Sequence, residues 1–210
     1  MGLYFQRLLD GTVDKVVSHM FYADDLCLMA KDQTGLNTML GALQRYSASK
    51  GLTVNPRKSK VVIFNSRDAS DQFLYNSDPL EIADEFKYLG VVFHKNGNMK
   101  HADKHMSRAL LGAIHKVYKL ADDHGVRKRT DMVLQLYQSY AVSVGLFGSH
   151  LWSTSFLMPD KVFSSAVQSK HLSSLRYLIG ARQSTPSWHL LHDLGQSHFN
   201  FIGGKLLAIF

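Results

Sequence analysis

One cysteine, Cys27, is all that this 210-residue chain contains. A lone thiol cannot close an internal disulfide, and it cannot build a cysteine-based zinc finger. Cys27 lies in an apolar run and reads as a buried, inert thiol rather than a nucleophile. No stretch approaches the roughly 18 apolar residues that a membrane helix needs. The opening residues, Met1 to Arg7, lack the basic flank and long apolar stretch of a secretion signal. Gln6 stands where N-myristoylation wants Ser or Thr. No Glu sits at zincin spacing, so His101, His105, His189, His192 and His198 read as surface or phosphate-facing side chains rather than zinc ligands. Repeats, long linkers and low-complexity tracts are lacking as well. These absences lead us to expect a soluble intracellular protein, nuclear or cytoplasmic, without membrane contact.

What is present is 45% hydrophobic residues, enough for a core, and a net charge of +7. That charge is unevenly placed. Residues 1–93 carry ten Lys/Arg against eleven Asp/Glu, whereas residues 94–129 carry nine Lys/Arg against Asp103, Asp122 and Asp123. Five of the eleven histidines fall in the same short stretch. A localised basic run is the electrostatic footprint of a phosphate backbone, and it is equally the composition of a solvated helix face.

The periodicity changes along the chain. Two apolar runs, Val16 to Phe21 and Leu26 to Ala30, flank Asp24-Asp25, which predicts a β-hairpin with both carboxylates at its tip. Leu36, Met39, Leu40, Leu43 and Tyr46 then form one helical stripe, with Asp32 as N-cap and Gly51 as C-terminal stop. Lys60 to Phe64 reads as a strand after an Asn55-Pro56-Arg57 turn. Asn65 to Asp84 reads as a surface loop holding a short strand, and Phe86 to Phe93 as strand, tight Gly turn and strand. Beyond His94 the period becomes helical. Met106, Ala109, Leu110, Ala113, Val117 and Leu120 mark one helix, and Met132, Val133, Leu136, Tyr137, Tyr140 and Val144 mark a second. A charged turn from Asp122 to Arg129 joins them. A third helix is expected from Pro159, with Val162, Phe163, Ala166, Val167 and Leu172 inward, and a fourth from Pro186, capped by Thr185 and stopped by Gly195.

An Asp-Asp turn by itself is adequately explained as a solvated turn. It also suits a divalent cation, since Mg²⁺ takes hard oxygen ligands and sits between carboxylates and substrate phosphates. Its setting decides in favour of the cation. The block His19-Met20-Phe21-Tyr22-Ala23-Asp24-Asp25-Leu26 resembles the catalytic hairpin of reverse transcriptases. In the same order follow Gly51 to Phe64, similar to the next motif of that palm, and Phe86-Lys87-Tyr88-Leu89-Gly90-Val91-Val92-Phe93, similar to its primer grip. Leu146-Phe147-Gly148-Ser149-His150-Leu151-Trp152 resembles the end of the thumb helix in non-LTR (LINE-type) retrotransposon enzymes, and Ser184 to Gly195 the segment after it. Group II intron maturases share a Tyr-Ala-Asp-Asp hairpin, but Leu146 to Trp152 favours the LINE type.

The resemblance implies an α+β fold. Residues 1–93 would form a partial polymerase palm, a small antiparallel sheet with a packed helix. Residues 94–152 would be an all-helical thumb, and residues 153–210 a C-terminal helical segment. It implies Asp24 and Asp25 as catalytic metal ligands for Mg²⁺ (with Mn²⁺ as a substitute), and Lys58 as a catalytic cation near the leaving pyrophosphate. Lys87, Tyr88, Leu89 and Gly90 would grip the primer, while Lys100, Lys104, Arg108, Lys116, Arg127, Lys128 and Arg129 would hold nucleic acid. The implied partners are an RNA template, a DNA primer duplex and deoxynucleoside triphosphates. The family places fingers and a further catalytic aspartate upstream of the hairpin, whereas Asp10 and Asp14 here sit in a polar loop around Gly11. The family's cysteine–histidine knuckle and endonuclease domain find no counterpart in these residues. Activity is therefore expected to depend on a longer polypeptide or a complementing fragment. The competing expectation is a nucleic-acid-binding remnant without chemistry.

Overall fold

The computed structural model describes residues 3–4, 16–64, 72–157, 161 and 164–202. Helices and small sheets mix in an α+β arrangement, and the chain divides between Asp84 and Glu85 into two compact units.

The first unit contains the short strands β1 (Leu3–Tyr4) and β2 (Val16–Val17), which pair antiparallel. The hairpin of β3 (His19–Tyr22) and β4 (Asp25–Leu28) follows. Helix α1 (Gln33–Lys50) begins where expected, because the Asp32 carboxylate accepts from the Gly35 amide at 2.6 Å. It ends at Gly51, whose φ of 65° is the left-handed conformation a side chain disfavours. Of the expected stripe only Leu40 is fully buried, and Tyr46 is exposed. Strand β5 is short (Lys60–Val61), following a single 3₁₀ turn at Pro56–Lys58. The region expected as a surface loop instead supplies core. Within it, β6 (Leu74–Tyr75) and β7 (Asp78–Pro79) form a hairpin, and β8 (Glu81–Ile82) pairs parallel with β5. Phe73, Tyr75 and Leu80 from this stretch join Leu40 and Val61 in the buried cluster. The polar residues around them dominate the composition, which is why the stretch reads as loop. Residues 65–71 lie outside the described residues, as do Asp10 and Asp14.

The second unit opens on a hairpin, β9 (Glu85–Tyr88) and β10 (Val91–His94), and continues into α2 (Lys100–Asp123). Ala102, Met106, Leu110, Ala113, Ile114, Val117 and Ala121 form its inward face. Leu120, expected inside, is exposed, since the buried stripe drifts to Ala121 as 3.6-residue turns accumulate. The next helix is interrupted. Helix α3 (Thr130–Leu136) passes into a π-helical turn at Tyr137–Val142 before α4 (Ser143–Gly145). A π turn inserts an extra residue per hydrogen-bonded ring, so a 3.6 period misassigns the face. Val133, Tyr137 and Ala141 point inward, whereas Met132 and Tyr140 are exposed. Short helix α5 (Ser149–Trp152) and a 3₁₀ turn to Phe156 follow. Helix α6 (Ala166–Ile179) is capped by Ser165, and α7 spans Ser187–Asp193. Of the helix expected from Pro159, residues Pro159, Val162 and Phe163 lie outside the described residues. Pro186 sits just before α7 rather than inside it, and no side-chain cap from Thr185 forms.

Asp103 ties this unit together. It projects from the buried face of α2 onto the start of α6, where Oδ1 accepts from Ser165 Oγ (2.6 Å) and the Val167 amide (3.1 Å). Oδ2 accepts from the Ala166 amide at 2.6 Å. A carboxylate at a helix N-terminus meets both unpaired amides and the positive end of the dipole. Gln168 then reaches on from α6, accepting the Phe199 amide at 2.9 Å.

Two histidines lie in the same core. His171 shares a 2.6 Å hydrogen bond with the Tyr137 hydroxyl and packs its ring against Phe199. His198, expected at the surface, is buried, because the segment after Gly195 folds back as core around Phe199. Burial pushes His171 down to about 3, reinforced by the neighbouring His198 and partly opposed by a hydrogen bond to the Ser197 backbone. Burial alone brings His198 down to about 4.

Asp103→Ala should lower the unfolding free energy by about 3 kcal/mol, as it strips three charge-assisted bonds from a buried helix end. Urea denaturation followed by circular dichroism measures this directly, and a loss under about 1 kcal/mol would contradict the assignment. The histidines set the sign of the acid response. Both folded-state values lie below the ordinary 6.5, so the unfolded chain binds more protons between them. Stability should be complete above pH 6.5 and fall as pH drops towards 4. His198→Gln should shallow that slope in melting curves taken across the window.

Candidate functional site

The acidic hairpin closes through a two-residue turn, with Tyr22 paired opposite Asp25 and with Ala23 and Asp24 between them. Asp24 thus occupies the turn, and Asp25 is the first residue of β4. Both are exposed, and among the described residues neither carboxylate holds an ion pair or side-chain hydrogen bond. Ala23 adopts φ 52°, a conformation that non-glycine residues rarely take and that two-residue hairpin turns require. Phe21 and Tyr22 leave nearly two-thirds of their surface exposed beside it. Cys27, on β4, is half-buried, and burial pushes its thiol up, in keeping with an inert group. Among the described residues there is no cluster of three or more His, Cys, Asp or Glu side chains able to hold a metal ion. The hairpin therefore offers two oxygen-donor groups and no more.

Lys58 sits exposed at the end of the 3₁₀ turn that Asn55 caps through the Arg57 amide. Beside that turn is an open cleft of about 570 Å³ lined by Asn55, Pro56, Arg57, Asp78, Pro79 and Glu81.

In the second unit, Lys87, Tyr88, Leu89 and Gly90 form the end of β9 and the turn into β10. Leu89 at φ 45° and Gly90 at φ 87° are both left-handed, as a two-residue turn of this twist demands. Gly90 also fills a steric role. A Cβ there would lie 2.6 Å from Cε1 of Phe147. The contact is reciprocated, since a Cβ on Gly148 would fall 2.9 Å from a methyl group of Val91. The Phe147 carbonyl in turn accepts from Nε1 of the fully buried Trp152 at 3.0 Å. The strand–turn–strand block and the block from Leu146 to Trp152 are thus two halves of one interlock.

Lys100, Lys104 and Arg108 recur every four residues along α2, so they share one exposed face. Lys116 is exposed further along the same helix, its Nζ 3.4 Å from the Tyr140 hydroxyl. The other expected nucleic-acid ligands are differently disposed. The Arg127 guanidinium lies 4.0 Å from the Tyr118 ring centre, donates to the Tyr177 hydroxyl at 3.2 Å and faces Asp122. Arg129 is bidentate on Asp131, which raises the guanidinium and lowers the carboxyl. Lys128 is exposed on the turn. Lys100, Lys104 and Arg108 therefore form an open basic face on α2, Lys116 stands about 80° further round the helix from Arg108, and Arg127 serves as an internal clamp. Tyrosines 118 and 177 lie 59 residues apart in sequence, so no local pattern signals that clamp.

Residues 2–93 match the family described as reverse transcriptase (RNA-dependent DNA polymerase), whose members generally use divalent metal ions. That part of the chain is similar to reverse transcriptases. An uncharacterized transposon-derived protein of Caenorhabditis elegans is 25% identical over 175 residues, which cover 78% of this chain and 57% of the relative. The chain thus spans little more than half of that protein's length. No solved structure matches it. No helix among the described residues is long and apolar enough to cross a membrane.

The interlock makes a directional prediction. Gly90→Ala should destabilise the second unit by about 2–4 kcal/mol, combining steric conflict with left-handed strain. Adding Phe147→Ala should recover the steric share only. Equal losses with and without Phe147 in a double-mutant cycle would show that the ring is not the obstacle.

Proposed function

We propose that this chain is the part of a non-LTR (LINE-type) reverse transcriptase that carries the Tyr-Ala-Asp-Asp hairpin, the primer grip and the thumb. In this reading residues 1–93 belong to the palm, residues 94–152 to the thumb and residues 153–210 to a helical connection. The observation that carries it is the pair of unengaged carboxylates at an exposed, strained two-residue turn. Strain held at a residue that resists it is a hallmark of functional turns.

The donor set fits a hard divalent cation such as Mg²⁺, with Asp24 as the principal ligand and Asp25 beside it. Such an ion, held by Asp24 and Asp25, would supply charge neutralisation for phosphoryl transfer. The protein's own contribution is positioning. Tyr22 and Ala23 shape the turn and back the primer end, and Lys58 supplies a cation for the leaving pyrophosphate. The turn from Lys87 to Gly90 holds the primer terminus. Lys100, Lys104, Arg108 and Lys116 extend roughly 24 Å along α2, which matches about seven base pairs of phosphate spacing. They would hold an RNA–DNA duplex by its backbone, irrespective of sequence.

Two carboxylates on one hairpin cannot by themselves hold both metal ions of a polymerase centre. The 210-residue chain alone should therefore fail to extend a primed RNA template with Mg²⁺ or Mn²⁺. Supplying a polypeptide that bears the fingers and the further aspartate should restore extension, and Asp24→Ala should abolish it again. Extension by the chain alone would overturn the ligand argument. A failure of complementation in every arrangement would leave the reading of a nucleic-acid-binding remnant.

Duplex binding should weaken with salt at a log–log slope of roughly −3.6 for four phosphate contacts. Replacing Lys100, Lys104, Arg108 and Lys116 together with Gln should flatten the slope and lower affinity for every sequence alike. A primed duplex bound equally well by both proteins would return α2 to a merely solvated face.

A further inference from the structure

The chain contains two tryptophans, and their settings are opposite. Trp152 is fully buried, whereas Trp188, at the start of α7, leaves 64% of its surface exposed. Tyr177, near the end of α6, is exposed to the same degree at 66%. Exposed apolar surface is informative when it is large, and here it is also held in place. Arg127 donates to the Tyr177 hydroxyl at 3.2 Å, and the Tyr118 ring lies against that of Tyr177 with centres 5.4 Å apart. The His189 ring stacks on one face of the Trp188 indole at 3.3 Å, so the other face is the open one. Arg176 fixes the two elements side by side, since its Nη2 donates to the Thr185 carbonyl and to Ser187 Oγ, each at 3.0 Å. Tyr177 and Trp188 directly follow Arg176 and Ser187, two of the residues that this bridge joins. Residues 166–193 carry Lys170, Arg176 and Arg182 against Asp193 alone. Arg182 is exposed on the loop between the helices, and Lys128 is exposed next to Arg127.

We infer that the corner where α6 meets α7 binds single-stranded nucleic acid by stacking unpaired bases on Tyr177 and Trp188. The inference rests on the nucleic-acid reading above, but it concerns another surface and another kind of contact. The basic face of α2 meets the phosphates of a duplex, whose base faces are covered by their neighbours. An unpaired base presents its π face to an aromatic ring, and that contact tolerates any sequence because every base has such a face. Rings already pinned in place suit this task, since a fixed side chain loses less freedom on binding. Arg182 and Lys128 add the positive charge that a strand of phosphates seeks, and a guanidinium can itself stack on a base. Composition decides between a strand and a protein partner. Basic residues outnumber acidic ones three to one over residues 166–193, and Ile179 is the only other large apolar side chain exposed on α6 or α7. The core of a protein interface is instead apolar and poor in charge.

Because Trp152 is shielded, Trp188 is the indole whose fluorescence an added strand can quench. The full chain is titrated with oligothymidylate and oligouridylate of about ten residues, with an abasic strand of equal length and with a blunt duplex. The base-bearing strands should quench the emission, and the tighter-bound of the two assigns the natural strand to DNA or RNA. The abasic strand and the duplex should leave the emission unchanged. In anisotropy of a labelled strand, Trp188→Ala and Tyr177→Ala should each weaken binding roughly five- to 150-fold. Trp188→Phe, which keeps a ring at the same exposed position, should retain most of the affinity and the melting curve of the parent. Equal quenching by the abasic strand would show phosphate contact without stacking and overturn the inference. Affinity unmoved by both alanine variants would overturn it as well. Self-association that Trp188→Ala abolishes, with no quenching by any strand, would assign the rings to a protein interface and overturn it too. Replacing Lys100, Lys104, Arg108 and Lys116 with Gln should leave the quenching in place. Stacking with no duplex binding defeats the reading of α2 alone, and duplex binding with no stacking defeats the corner alone.

Discussion

A buried carboxylate holds the helical unit in register. Asp103 leaves α2 on its apolar side and ends on the otherwise unpaired amides at the start of α6, where it accepts three hydrogen bonds. Removing a charge from water is unfavourable by several kcal/mol unless hydrogen bonds replace the lost hydration. Here the helix end supplies those bonds, and the same bonds satisfy amides that would otherwise be orphaned in the interior. Because α2 carries the open basic face on its opposite side, the geometry of that face depends on a contact hidden behind it. The interior polar contacts continue through Gln168 and the Tyr137–His171 pair, so this core is specified by hydrogen bonds as well as by apolar fit.

The two units meet their structural demands differently. The first relies on short strands, two-residue turns and a small apolar cluster around Leu40 and Tyr75. Its cross-strand ion pair, Lys60 with Glu81 at 2.8 Å, is solvent-exposed and adds about 1 kcal/mol at most. The second buries Trp152, Tyr137, Phe156 and Phe199 completely. An acidic hairpin on a lightly packed unit and a basic helix on a densely packed one suit their proposed tasks. A metal-bearing turn adjusts to substrate, whereas a face that reads regular phosphate spacing needs a straight, well-supported helix.

Much of this was legible in the sequence where the signal is local. Asp32 and Gly51 bound α1 as their chemistry requires, and the turns at Ala23-Asp24 and Leu89-Gly90 follow from the residues that flank them. Leu120 was misplaced because the buried stripe drifts to Ala121, and Tyr140 because it lies within the π turn; Met132, which precedes that turn, simply flanks the buried Val133. The core role of Phe73, Tyr75 and Leu80 was masked by polar neighbours. Asp103 could have been singled out, since it falls at the spacing of Met106 and Leu110 on the apolar stripe. Its partner at Ser165 could not, because the pairing spans 62 residues and has no periodic trace.

Gly90 and Phe147, with Val91 and Gly148, form a pair of sockets in which each segment receives a side chain from the other. Such an arrangement is heritable only as a unit. A side chain at residue 90 would need a smaller one at residue 147 and would still carry the left-handed strain, so each segment is fitted to the other. The short turn and the later Leu-Phe-Gly block, far apart on the linear map, thus behave as a single genetic character.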